Sequence, residues 1–82
     1  MELKVGQLVY SRAGRDKGKF LVIVNISEGS VFVADGKERP LERPKRKNQR
    51  HLGVTTTVLD SGSMSTNRAL RRAIAEYNAA NN

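Results

Sequence analysis

Residues 19–25, Lys-Phe-Leu-Val-Ile-Val-Asn, place apolar side chains on both sides of any strand they form. Side chains alternate along an extended chain, so Phe20, Val22 and Val24 face one way and Leu21, Ile23 and Asn25 the other. A strand that is apolar on both faces needs a core on one side and a cover on the other. With 82 residues there is room for one core only, so the cover has to come from the same short chain.

The flanking sequence supplies partners for this strand. Residues 6–11 read as a first strand, and residues 13–18 as a polar loop with two glycines, Gly14 and Gly18. Ser27-Glu28-Gly29-Ser30 turns the central strand into a third over residues 31–34, and Asp35-Gly36 is a favoured tight-turn pair. Residues 37–41 predict a short fourth strand, confined to an edge or an irregular connection by Pro40 and Pro44. Residues 51–58 predict a fifth. Composition then shifts to Ala, Arg, Leu and Asn, and the spacing of Leu70, Ile74 and Tyr77, with Ala73 beside them, predicts a helix over 65–79 capped by Ser65 or Thr66. Its apolar stripe is the cover for the second face of the central strand. Arg68, Arg71 and Arg72 lie where the helix dipole does not favour cations and read as solvent-facing or partner-facing. The last five residues are expected to fray. The expected architecture is mainly β: a small SH3-like five-stranded barrel over residues 1–59, followed over 60–82 by a linker and a short C-terminal α-helix on or beside it. A five-stranded OB barrel has a similar pattern.

Several functional classes fall away on composition. The chain has no cysteine and one histidine, which excludes disulfides and thiolate metal sites and leaves too few ligands for a zinc or iron centre, so neither metal nor cofactor is expected. The longest nearly apolar stretch, residues 20–26, is far short of the ~20 residues of a membrane span. The N-terminal residues lack an apolar signal core, and a cytoplasmic protein is expected. Gly14-Arg15-Asp16-Lys17-Gly18-Lys19 differs from a phosphate-binding P-loop in spacing, in the residue after the lysine and in its strand-loop-strand context. His51 has no nucleophile or orienting carboxylate beside it in sequence, and Ser61, Ser63 and Ser65 read as a loop-and-cap cluster, so no catalytic residue is assigned and no enzymatic activity is expected.

What remains is charge. Fifteen Lys and Arg against eight Asp and Glu give a net +7, and seven of the cations fall between Lys37 and Arg50 against two anions. A second group, Arg12, Arg15, Lys17 and Lys19, surrounds the first loop and is offset only by Asp16. Two basic loops on one small domain can follow a phosphate backbone, because each neutralised phosphate releases a condensed counterion. Pro44-Lys45-Arg46-Lys47 is a single-sign block, whereas a merely solubilising surface favours interspersed signs. Only four aromatics are present. Phe20 is expected in the core and Tyr77 on the helix stripe; Tyr10 and Phe32 are open between inside and outside, with a core role expected of each. Backbone and shape recognition of folded RNA is therefore expected, rather than a base-reading groove. The phosphate contacts are assigned to Arg43, Lys45, Arg46, Lys47 and Arg50, with Arg12, Arg15, Lys17 and Lys19 as a second rim. Asn48 and His51 either reach sugar and base edges or serve the fold, Asn48 by fixing a turn and His51 by satisfying a carbonyl.

The segment Gly6-Gln7-Leu8-Val9-Tyr10-Ser11-Arg12-Ala13-Gly14-Arg15-Asp16-Lys17-Gly18-Lys19-Phe20-Leu21-Val22-Ile23 resembles a KOW motif: a strand, a loop with a characteristic glycine, here Gly18, and a second apolar strand. Arg43-Pro44-Lys45-Arg46-Lys47-Asn48-Gln49-Arg50-His51-Leu52 is similar to the basic, Asn-containing, His-Leu-ending segment of large-subunit ribosomal proteins of the fourteen-e type. The two pieces, in that order, extend the likeness over about residues 5 to 56, and the whole looks like the small bacterial KOW-domain RNA-binding proteins. The resemblance implies an SH3-like barrel that binds RNA, with ribosomal RNA or the ribosome as partner, through the first loop and the basic connection before the last strand. KOW domains of NusG-like elongation factors also contact proteins, which leaves a second expectation: a protein-interaction barrel using a sheet face, an edge strand or the helix.

Overall fold

The computed structural model describes residues 2–81. Five strands, β1 (Gln7–Ser11), β2 (Phe20–Ser27), β3 (Ser30–Ala34), β4 (Lys45–Asn48) and β5 (Leu52–Val58), precede one helix, α1 (Asn67–Ala80). Single 3-10 turns, Gln49–His51 and Gly62–Met64, lead into β5 and α1 respectively. All strand pairs are antiparallel, and the order across the sheet is β4-β3-β2-β1-β5. Consecutive strands therefore lie side by side until the last, which returns to pair with the first. No pairing joins β4 to β5, so the sheet is open, and the closure expected of a barrel is not found.

The double-faced character of β2 organises the interior. Leu21 and Ile23 lie with Val9, Val31, Val33 and Leu52 in one buried cluster, with Leu3 and Val54 at its margin. Val22 lies on the opposite face with Leu8 and Ala34, against Leu70 and Ile74 of α1. The helix stripe is thus the cover that the sequence requires, and Phe20, Val24 and Tyr77 pack at its border. Thr66 is the cap: its Oγ1 accepts from the Ala69 N–H at 3.0 Å. The adjoining Asn67 accepts from the Leu41 N–H at 2.8 Å and donates to Glu42 at 2.6 Å, fixing the helix to the connection between β3 and β4. All three helix arginines are exposed, and Arg71 in addition donates to the carbonyl of Gly36 at 2.8 Å and so also serves the fold.

Three expectations are corrected. Asn25 does not share a face with Leu21 and Ile23, because the pairing shifts from Ile23↔Val33 to Asn25↔Phe32, leaving Val24 as an extra residue in a bulge. Residues 37–41 form no strand. The Asp35 carboxylate accepts from the N–H groups of Lys37 and Arg39, at 2.8 and 2.9 Å, and curls this stretch into a turn. The fourth strand is instead the basic block, in register with β3 as Val33↔Lys45, Phe32↔Arg46, Val31↔Lys47 and Ser30↔Asn48. At the C-terminal end, residues 78–80 continue the helix rather than fraying. No helix among the described residues is long and apolar enough to cross a membrane.

Candidate nucleic-acid interface

The first loop is built around a buried carboxylate. Asp16 is 3% exposed; it accepts from Arg39 Nη2 at 3.2 Å and lies 3.7 Å from Lys47 Nζ. Gly14 and Gly18 adopt φ of +81° and +85°, values that strain any residue with a Cβ, and between them the backbone makes tight turns: Lys17 N–H to Gly14 O at 3.2 Å and Lys19 N–H to Asp16 O at 2.8 Å. Gly18 N–H also returns to Ser11 O at 2.8 Å, closing the loop onto β1. With Asp16 drawn inward, its neighbours Arg15 and Lys17 stand exposed, as does Arg12. The one anion of this loop thus contributes little to its outer surface.

The basic block divides by strand alternation. Lys47 lies opposite Val31 and points inward, 8% exposed, where its ammonium donates to Ser11 Oγ and Ala13 O, both at 3.1 Å. It is an internal tie between β4 and the first loop rather than an exposed cation. Arg46 lies opposite Phe32 on the outer face, and its Nε donates to Ser30 Oγ at 2.9 Å, which leaves much of the guanidinium free. Lys45 and Arg43 are exposed, Arg43 in a turn whose N–H returns to Pro40 O at 3.0 Å. Asn48 serves the fold: its side chain accepts from Arg50 N–H at 2.9 Å and caps the 3-10 turn Gln49–His51. Arg50 and the His51 side chain are exposed, while the His51 carbonyl accepts from Arg12 N–H at 2.7 Å.

Lys19 is bound to Glu38 at 2.6 Å, and both groups are exposed. The hydrogen bond to Glu38 is the main reason the Lys19 ammonium is held above its usual range, and the same bond holds the Glu38 carboxyl below the usual carboxylate range. Its charge is therefore locally matched at neutral pH.

Two links bring the basic regions together: Arg12 to His51 through the backbone, and Ala13 and Asp16 to β4 through Lys47. Arg12 therefore lies beside His51 and the adjoining Arg50, the loop that carries Arg15 and Lys17 lies against β4, and Arg46 and Lys45 follow along that strand. Arg43 stands apart beside the connection that docks on α1. Arg39, one of the seven cations counted between Lys37 and Arg50, is partly buried against Asp16.

Of the aromatics, Phe20 and Tyr77 pack against the helix-side core as expected, whereas Tyr10, for which a core role is expected, is exposed. Tyr10 is 38% exposed and lies on the outer face opposite Phe20, the ring centroids 5.9 Å apart in an edge arrangement, and Phe20 in turn meets Tyr77 of α1 at 5.3 Å. On its other side Tyr10 pairs with Gly53 of β5, and the ring so covers that residue that a Cβ at position 53 would collide with Cζ and both Cε atoms. No protein-family model and no curated protein matches the chain.

Proposed function

We propose that this chain is a non-catalytic RNA-binding module, an SH3-like domain of the KOW kind, that docks on structured RNA, with ribosomal RNA as its target. The observation that carries the reading is the convergence of two basic regions that are separate in sequence. Arg12 is bonded through its N–H to the carbonyl of His51, next to Arg50, and the loop that carries Arg15 and Lys17 is tied to β4 by Lys47, while the single carboxylate of that loop is withdrawn into the protein. Such a surface gains affinity by displacing counterions from phosphates and places little apolar surface in contact with RNA. The strand order, with β5 returning to β1, supports the SH3-like reading although β4 and β5 do not pair.

The test is co-sedimentation and filter binding of the purified protein with ribosomal RNA across a salt series, beside a Lys45→Glu/Arg46→Glu variant. Lys47 is left intact, because a carboxylate there would face Asp16 and unfold the loop. Log affinity should fall with log salt by about 0.7–0.9 per phosphate contact, and the variant should lose most of its binding while remaining folded. The competing reading, a protein-interaction domain, would use an edge of the sheet, the part of the outer face around Tyr10 that α1 leaves open, or the exposed side of α1. Binding to a protein partner that is indifferent to salt and to this charge reversal would favour it.

A further inference from the structure

We infer that the hollow beside Tyr10 receives an unpaired nucleobase, stacked on the phenol ring, with Arg12 and Gln49 at its rim; this rests on the RNA-binding reading above and narrows it to RNA that carries unpaired nucleotides. Tyr10 sits where α1 no longer covers the outer face: two residues before it Leu8 is fully buried under the helix, whereas Tyr10 is 38% exposed. The ring is nonetheless held on two sides. Gly53 lies beneath it, where a Cβ would meet its outer ring carbons, and Phe20 meets it edge-on at 5.9 Å. An aromatic fixed in this way stacks a base with little further loss of conformational freedom.

The surroundings match a nucleotide in charge and in hydrogen-bonding capacity. The hollow is lined by Tyr10, Arg12, Gln49, Leu52, Gly53 and Val54, together with Leu3, and includes a cation and an amide but no carboxylate. Arg12 follows directly on β1, two residues after Tyr10, and its N–H is bonded to the His51 carbonyl, so the exposed Arg50 and His51 stand beside the same rim. A base lying on Tyr10 therefore has its own phosphate next to the cations already assigned to the RNA backbone. Aromatic packing of Tyr10 against Gly53 alone explains the missing side chain at position 53, but not why the open side is bordered by a guanidinium and a primary amide.

The experiment compares the full chain's binding to a 12-nucleotide single-stranded RNA and to the same sequence as a blunt duplex. Tyr10→Leu keeps an apolar side chain over Gly53 and removes the π face. It should weaken single-strand binding about tenfold and leave duplex binding unchanged, and Tyr10→Phe should retain both affinities. Wild-type affinity of Tyr10→Leu for the single strand, or an equal loss on both RNAs, overturns the inference. If binding is still lost on Lys45→Glu/Arg46→Glu in that case, the RNA reading stands without it, whereas failure of the unsubstituted protein to bind either short RNA overturns the inference and leaves the RNA reading to the ribosomal RNA titration above. Should Tyr10→Leu not fold, Tyr77→Phe leaves Tyr10 as the sole tyrosine in a chain without tryptophan. Its fluorescence should then be quenched by the single strand and not by the duplex, and equal or absent quenching overturns the inference.

Discussion

The Lys47 ammonium lies 3.7 Å from the Asp16 carboxylate, with both side chains almost wholly withdrawn from solvent. One belongs to an edge strand and the other to the tip of a loop, so this contact and the hydrogen bonds beside it set where the first basic loop stands relative to the second. Removing one member of a buried charged pair leaves the other uncompensated, which typically costs about 3–5 kcal/mol. Asp16→Asn leaves Lys47 and Arg39 together without their anion and should destabilise the protein by that order in urea denaturation. Lys47→Glu should be worse, with no cooperative unfolding transition remaining.

Outside that network the basic block tolerates change. Lys45→Glu/Arg46→Glu should shift stability by less than about 1 kcal/mol, as expected of exposed positions. In RNA binding, the slope of log affinity against log salt should fall by about 1.4–1.8 if both side chains lie on phosphates. Titration at four or more salt concentrations reads this directly.

The pair Lys19–Glu38 gives a prediction with a pH window. The Glu38 carboxyl is lowered, so what it contributes is present above the ordinary carboxylate range and lost as pH falls through its lowered value. The Lys19 ammonium is raised, so its part is complete below the ordinary lysine range and lost only as pH rises through the raised value. Both are charged at neutral pH, and the pair is exposed and screened. Glu38→Gln should leave the thermal midpoint unchanged but release Lys19, steepening the salt slope of RNA binding by about 0.7–0.9 if Lys19 then reaches a phosphate.

Gly53→Ala should displace the Tyr10 ring, because the new methyl occupies the place of its outer carbons. A destabilisation of about 1–3 kcal/mol is expected from such overpacking, accompanied by a change in tyrosine fluorescence.

Leu70 is fully buried between α1 and the sheet, and Leu70→Ala should cost about 2–5 kcal/mol. Truncation after Asp60 exposes Leu8, Val22 and Ala34 and should abolish cooperative folding, as monitored by circular dichroism on heating.

Alternation along β2 made the need for a covering helix legible, and the recurrence of Leu70, Ile74 and Tyr77 located it to within two residues. Both rest on local periodicity, which a sequence displays directly. The fourth strand was not legible, because Lys-Arg-Lys-Asn carries no β-branched or aromatic residue and is extended only through pairing with β3. Nor was the inward turn of Lys47, whose partners Ser11, Ala13 and Asp16 lie in a distant segment. Asp16 did leave a trace as the one anion among the cations of its loop, and an isolated opposite charge in such a run is a reasonable place to seek a buried pair. Tyr10 left none, since its meaning depends on Gly53 across a strand pair between opposite ends of the domain.

β4 forms one border of the sheet, where unpaired backbone N–H and carbonyl groups invite the strand of another molecule. Lys45 and Arg46 line that border, so two copies approaching edge to edge would bring like charges together along the line on which they would have to join. The same cations thus discourage self-association, and a variant that neutralises them is expected to lose solubility at high concentration.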